Sequence, residues 1–177
     1  MGGRAAHVPD AVTRTNSNEY WETRVNVVIH HNPECGTSRN VLSILEAAGY
    51  EPTVIEYLKT GWTRPQLLGL FAAAGLTPRS ALRIKKSPAE QLGLLDATVA
   101  DEAIIAAMLE HPILVNRPIV CTNKGVRLCR PSETVLDLLD RMPPGPLHKE
   151  DGFSSTCKAD GSYSSGALDA RYRHEGT

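Results

Sequence analysis

The stretch Val25-Asn26-Val27-Val28-Ile29-His30-His31-Asn32-Pro33-Glu34-Cys35-Gly36-Thr37-Ser38-Arg39 opens as a β-branched run, turns at Asn-Pro and reaches a cysteine beside a glycine. Val41, Leu42, Ile44, Leu45 and Ala48 then recur at helical spacing until Gly49, so the order is strand, loop, helix. Pro52-Thr53-Val54-Ile55-Glu56-Tyr57 reads as a second strand, completing a βαβ unit whose strands pair in parallel.

Downstream, Thr63-Arg64-Pro65-Gln66 has capping-box spacing, and Leu67, Leu68, Leu70, Phe71 and Ala74 give a helix one apolar face before Gly75. Residues 79 to 93 suggest short helical pieces around Pro88, and Asp101 to Glu110 a further helix stopped by Pro112, so the middle third is expected to be helical. Pro118-Ile119-Val120-Cys121-Thr122 and Val126-Arg127-Leu128-Cys129, joined by Asn123-Lys124-Gly125, form a β-hairpin pattern, and Val135, Leu136, Leu138 and Leu139 supply a closing helix. This is the order of an α/β, thioredoxin-like fold with a helical insertion between the βαβ unit and the C-terminal β-hairpin. Residues 1–24 and 142–177 lack an apolar period and are expected to be flexible extensions around one domain, 25–141.

The 177 residues, 41% of them hydrophobic, suffice for one core. Nineteen basic against twenty acidic residues leave a formal charge of −1, so no global field draws nucleic acid or an anionic membrane. Neither a spanning apolar run nor a secretory leader is evident, and a cytoplasmic protein is expected. Cysteines 35, 121, 129 and 157 form no disulfide framework. No C-x-x-C or H-x-x-x-H spacing offers a metal centre.

Cys35 stands just before the first helix, where unpaired N–H groups and the dipole favour an anion. A free thiol of pKa about 8.5 is only a few per cent thiolate at neutral pH, and lowering it by roughly two units takes about 2.7 kcal/mol. The helix end supplies about 0.5–1 kcal/mol, so basic neighbours must provide the rest. Candidates are Arg83, Arg117 and Arg130, each set in an apolar or turn context: Ala81-Leu82-Arg83-Ile84, Val115-Asn116-Arg117-Pro118 and Leu128-Cys129-Arg130-Pro131. A guanidinium fork meets a tetrahedral oxyanion with paired donors at any relevant pH.

The segments Asn32-Pro33-Glu34-Cys35-Gly36-Thr37-Ser38-Arg39, His111 to Val120 and Arg127 to Glu133 closely resemble the signatures of the glutaredoxin-dependent arsenate reductases, over roughly residues 25 to 140. The resemblance implies that Cys35 attacks arsenate, that Arg83, Arg117 and Arg130 hold the oxyanion, and that Pro118 is cis beside the cysteine. It also implies arsenic detoxification with glutathione as co-substrate, glutaredoxin as electron donor and no bound cofactor. His31 then either lowers the thiol pKa as a cation or only hydrogen-bonds the loop. Asn32, Gly36, Thr37 and Ser38 support the loop, with Thr37 and Ser38 expected to cap the helix. His30 replaces an aromatic common in related enzymes.

Three rivals are weaker. A phosphatase-like reductase needs C-x5-R, and here that position is Val41. A redox regulator or adaptor of the same fold, binding a partner such as RNA polymerase, commonly uses C-x-x-C, and Ser38 stands at the second thiol position. A generic glutaredoxin-like oxidoreductase has no use for three clustered arginines. Cys121 and Cys129 read as core or strand residues, and Cys157 as a tail cysteine.

Overall fold

A computed structural model describes residues 26–145, 147–148, 153–157 and 163–167. The extension expected over residues 1–24 lies outside them. In chain order come β1 (Val28–His31), α1 (Gly36–Ala47), β2 (Thr53–Glu56), the single turn α2 (Tyr57–Thr60), α3 (Arg64–Ala74), the short α4 (Pro78–Ala81) and α5 (Asp101–Glu110). A 3-10 turn at Pro112–Leu114, the hairpin β3 (Ile119–Thr122) and β4 (Gly125–Leu128), and a 3-10 segment Ser132–Leu138 follow.

The sheet order is β2-β1-β3-β4. β1 runs parallel to β2, with Ile29 opposite Val54, and antiparallel to β3, with Ile29 opposite Val120. Strand alternation sends neighbouring residues to opposite faces. Val27, Ile29 and Val120 join Val41, Ile44, Leu45, Val135 and Leu138 on the α1 side. Ile119 instead joins Tyr57, Leu67, Ile104, Met108 and Leu114 among the insertion helices. Each such aliphatic side chain, taken out of water, contributes about 1.5–3 kcal/mol. With Ile119 and Val120 buried on opposite faces, β3 is pinned from both sides, and Arg117 just before it inherits that fixity.

The βαβ unit, both longer helices of the insertion and the hairpin lie where the sequence pattern puts them. Gly49 ends α1 with φ +77°, its N–H donating to Glu46 and that of Tyr50 to Leu45. At α3 the capping box is closed: Gln66 N–H donates to Thr63 Oγ1 at 3.4 Å, and Thr63 N–H to Gln66 Oε1 at 2.9 Å.

Four expectations need correction. The second strand stops at Glu56, because Tyr57 turns its ring into the insertion core to stack on Trp62, 4.9 Å between centroids. The middle third is only partly helical: after α4 the chain pairs Leu82 with Val115, and Arg83 N–H donates to Leu114 O at 2.7 Å, which draws it away from a helical path. The closing helix is 3-10, which suits Val135/Leu138 and Leu136/Leu139, two i,i+3 pairs that are all buried. Within the stretch read as a flexible tail, β5 (Leu147–His148), β6 (Phe153–Cys157) and β7 (Tyr163–Ala167) form a three-stranded antiparallel sheet.

Replacing Thr63 by Ala removes one acceptor and the return partner of Gln66. The expected loss is about 1 kcal/mol of unfolding free energy, read from the urea midpoint, with a smaller loss for Gln66→Ala.

Candidate active site

Cys35 is the N-cap residue of α1, extended at φ −107°, ψ 113°, and buried to 9% exposure. Its N–H donates to Asn32 O at 3.0 Å, and its carbonyl accepts from Arg39 N–H at 3.0 Å, the first bond of the helix. Asn32 Oδ1 accepts Glu34 N–H at 2.9 Å, and the Arg39 guanidinium donates to the Pro33 carbonyl. Arg39 therefore staples the loop. Thr37 and Ser38 lie inside the helix and no side chain caps it, contrary to expectation, because the extended N-cap position is filled by Cys35 itself.

A cavity of about 780 Å³ opens beside the sulfur. Gly36, Thr37 and Asn40 from one face of α1 line it, with residues 82–85, Asn116, Arg117 and Arg130. The three arginines singled out by sequence thus converge on one space with Cys35. Among the described residues no carboxylate lines it, whereas Arg83, Lys85, Arg117 and Arg130 do. Arg117 is 5% exposed, and its Nε has no hydrogen-bond partner. Arg83 donates through Nε to Lys85 O at 2.6 Å but leaves a buried Nη1 unpaired. Arg130, more exposed, donates from Nη1 to Arg117 O at 3.2 Å, tying two of the three together. Buried donors left without acceptors cost about 1–3 kcal/mol each, more when charged.

Burial alone would push the Cys35 thiol up, yet its pKa lies below the ordinary value. The Ser38 N–H and hydroxyl, then the charge and hydrogen bond of Arg117, outweigh the burial. The Ser38 hydroxyl is buried with no bond of ordinary geometry, so its contact with sulfur is loose until the sulfur is anionic. Cys121 and Cys129 behave oppositely: burial raises both, Cys129 to about 12. Among the described cysteines only Cys35 is poised as a nucleophile. The side chain of Cys157, in β6, lies outside the description.

His31 is 5% exposed, and burial, the largest influence, lowers its pKa despite the opposing charge of Glu56. That direction works against the cationic role considered for it. The Arg117–Pro118 bond is cis, as the resemblance implies, and so is Arg130–Pro131, which nothing in the sequence singled out.

The ArsC family matches residues 30–138. The chain belongs to the ArsC family. Arsenate reductases ArsI2 and ArsI1 of Synechocystis are each 74% identical over 126 residues, 71% of this chain and 90% and 88% of theirs. The arsenate reductase of Escherichia coli K12 is 50% identical over 127 residues, 72% of this chain and 90% of its own. A solved arsenate reductase from Vibrio cholerae superposes with a TM-score of 0.62 at 43% identity, covering 65% of this chain and 98% of that one. The ArsC domain here has the thioredoxin-like fold.

Sequence reasoning missed three ArsC-domain residues at the cavity or behind it. Tyr57, fully buried, has its pKa raised to about 12 by burial, against the pull of Arg117. Its hydroxyl reaches Val115 O at 3.5 Å, so a neutral phenol backs the clamp. Asn40 follows Gly36 and Thr37 at helical spacing, a signal that was available. Lys85 is two residues beyond Arg83 with no period to mark it.

Alkylation of Cys35 by iodoacetamide should follow thiolate population, rising through an inflection below that of a free thiol. Arg117→Ala and Ser38→Ala should move the inflection upward and slow the reaction at pH 7, while His31→Ala leaves it near wild type. A shift in His31→Ala as large as that in Arg117→Ala would restore the cationic histidine.

Proposed function

We propose that this chain is an arsenate reductase, an oxidoreductase in which the Cys35 thiolate attacks arsenate held by Arg83, Arg117 and Arg130. The observation that carries the reading is the convergence of Arg83, Arg117 and Arg130 on the cavity beside a thiol whose pKa is lowered. Membership in the ArsC family and identities of 50–74% to arsenate reductases support it.

In the first step the sulfur lone pair forms an S–As bond and one oxygen leaves as water: Cys35–S⁻, H₂AsO₄⁻ and a proton give Cys35–S–AsO₃H⁻ and H₂O. Arsenic is still As(V). Glutathione then replaces a second oxygen, and glutaredoxin takes up the glutathionyl group. The two thiol sulfurs become a disulfide, and their electron pair reduces As(V) to As(III). Water then cleaves the remaining S–As(III) bond, giving arsenite its third oxygen and Cys35 its proton. A cysteine that acts as the nucleophile must be kept reduced, which fits the cytoplasm and a detoxifying role. A regulator of the same fold has no need of a cavity with four basic residues and, among the described residues, no acidic one in its walls.

Arsenate-dependent NADPH consumption with glutathione reductase, glutathione and glutaredoxin tests the reading. Cys35→Ser should fall to background, and retained turnover would overturn the mechanism. A charge-assisted bond contributes about 1.5–3 kcal/mol, so Arg117→Ala should lower kcat/KM by roughly 10- to 100-fold. Arg130→Ala, at the more exposed edge, should lose less. Activity with another thiol system but none with glutathione and glutaredoxin would keep the reductase and remove the proposed donor.

A further inference from the structure

The cavity is too large and too positive for its oxyanion. A tetrahedral oxyanion fills on the order of 100 Å³, judged from a water's share of roughly 30 Å³, whereas the cavity measures about 780 Å³. Several hundred cubic ångströms therefore remain, a space of the size that holds a small organic ligand. Charge gives the same result. Among the described residues four basic ones and no acidic one line the cavity, and the thiolate with an arsenate dianion supplies at most three negative charges. Once the S–As bond forms, the thiolate charge is gone and the imbalance grows.

The unassigned cation is Lys85. It is exposed at the cavity wall, next to Ile84, whose side chain is 56% exposed. Its backbone is held firmly: Lys85 O accepts Arg83 Nε at 2.6 Å, and Ser87 Oγ donates to Ile84 O at 3.0 Å. Lys86, at φ 55°, takes the left-handed conformation rare for a non-glycine residue, which turns the chain sharply at this point. Only the Lys85 carbonyl serves the clamp, so its ammonium is available for another partner. The Ile84 side chain offers an apolar surface beside that charge.

Resting on the glutathione-dependent reading above, we infer that Lys85, with Ile84 and Asn40, forms the subsite for the tripeptide thiol, Lys85 binding one of its carboxylates. Glutathione carries two carboxylates and one ammonium, a net charge that matches the leftover positive one. Docked there, its thiol displaces the arsenic hydroxyl: Cys35–S–As(O)(OH)O⁻ and glutathione give Cys35–S–As(O)(O⁻)–S-glutathione and H₂O, without redox change. Lys85 touches the co-substrate and not arsenate, so its substitution separates the two affinities.

The test is steady-state arsenite formation with arsenate, glutathione and glutaredoxin varied in turn, in wild type, K85E, K85A and K85R. An exposed charge-assisted contact predicts a KM for glutathione raised about three- to tenfold in K85A and further in K85E, and restored to within about twofold in K85R. The KM for arsenate, the protection of Cys35 from alkylation by arsenate, and the KM for glutaredoxin should all stay within about twofold. An unchanged glutathione KM in K85E overturns the subsite. So does a rise in the arsenate KM, which puts Lys85 in the clamp, or in the glutaredoxin KM, which puts it on a protein-docking face. A wild type that makes no arsenite with glutathione removes both subsite and donor, whereas an active wild type with an indifferent K85E removes the subsite alone.

Discussion

Cys35 is a buried thiol whose pKa is nevertheless lowered, first by the N–H and hydroxyl of Ser38 and then by the charge and hydrogen bond of Arg117. Hydrogen bonds to the anionic sulfur and a nearby cation both favour the charged form that burial disfavours. The sulfur ends with a lowered pKa even though burial is the largest single influence on it. The arginine in turn keeps an unpaired Nε, so the thiolate does not exhaust it. One guanidinium helps to lower the thiol pKa and also lines the cavity in which the proposed oxyanion would sit.

That economy depends on where the chain is rigid. Cys35 is held by α1, whose apolar face is packed beneath the sheet, and Arg117 by β3, which is buried on both faces. Behind them Tyr57 stacks on Trp62, and Trp62 lies 5.0 Å from His30, forming an aromatic wall on the insertion side. His30 thus takes an aromatic's place by packing its tilted ring against Trp62, and burial lowers its pKa and that of His31.

The legible parts of the sequence were those governed by a period or by local chemistry. The strand, loop and helix around Cys35, the Thr63–Gln66 cap and α5 between Asp101 and Glu110 all follow from spacing and end signals. The nucleophile and the arginines followed from resemblance and from guanidinium chemistry; composition alone would not have chosen Arg83 over Arg79, which is tied to the carbonyls of Leu94 and Val99. What could not be read depends on contacts across the chain. Tyr57 leaves the strand because Trp62 is waiting for its ring, the segment 82–100 is irregular because Leu82 pairs with Val115, and His31 has a lowered pKa because the fold buries it. The strands after residue 146 have small polar residues, Ser154, Ser155, Ser164 and Ser165, and no apolar alternation to announce them.

The same geometry explains why the anion site is open. A C-x5-R loop would close around an oxyanion with one short segment, leaving the ion enclosed by its own nucleophile. Here the nucleophile comes after β1, and the donors come from three other places: just after Leu82 of the Leu82–Val115 bridge, before β3 and after β4. Each donor approaches from a different wall, and Arg39, which would have been the local choice, is spent on the Pro33 carbonyl. A clamp assembled from distant segments has gaps between its members. Such gaps suit the proposed reaction, in which a second sulfur must reach an arsenic already bonded to Cys35.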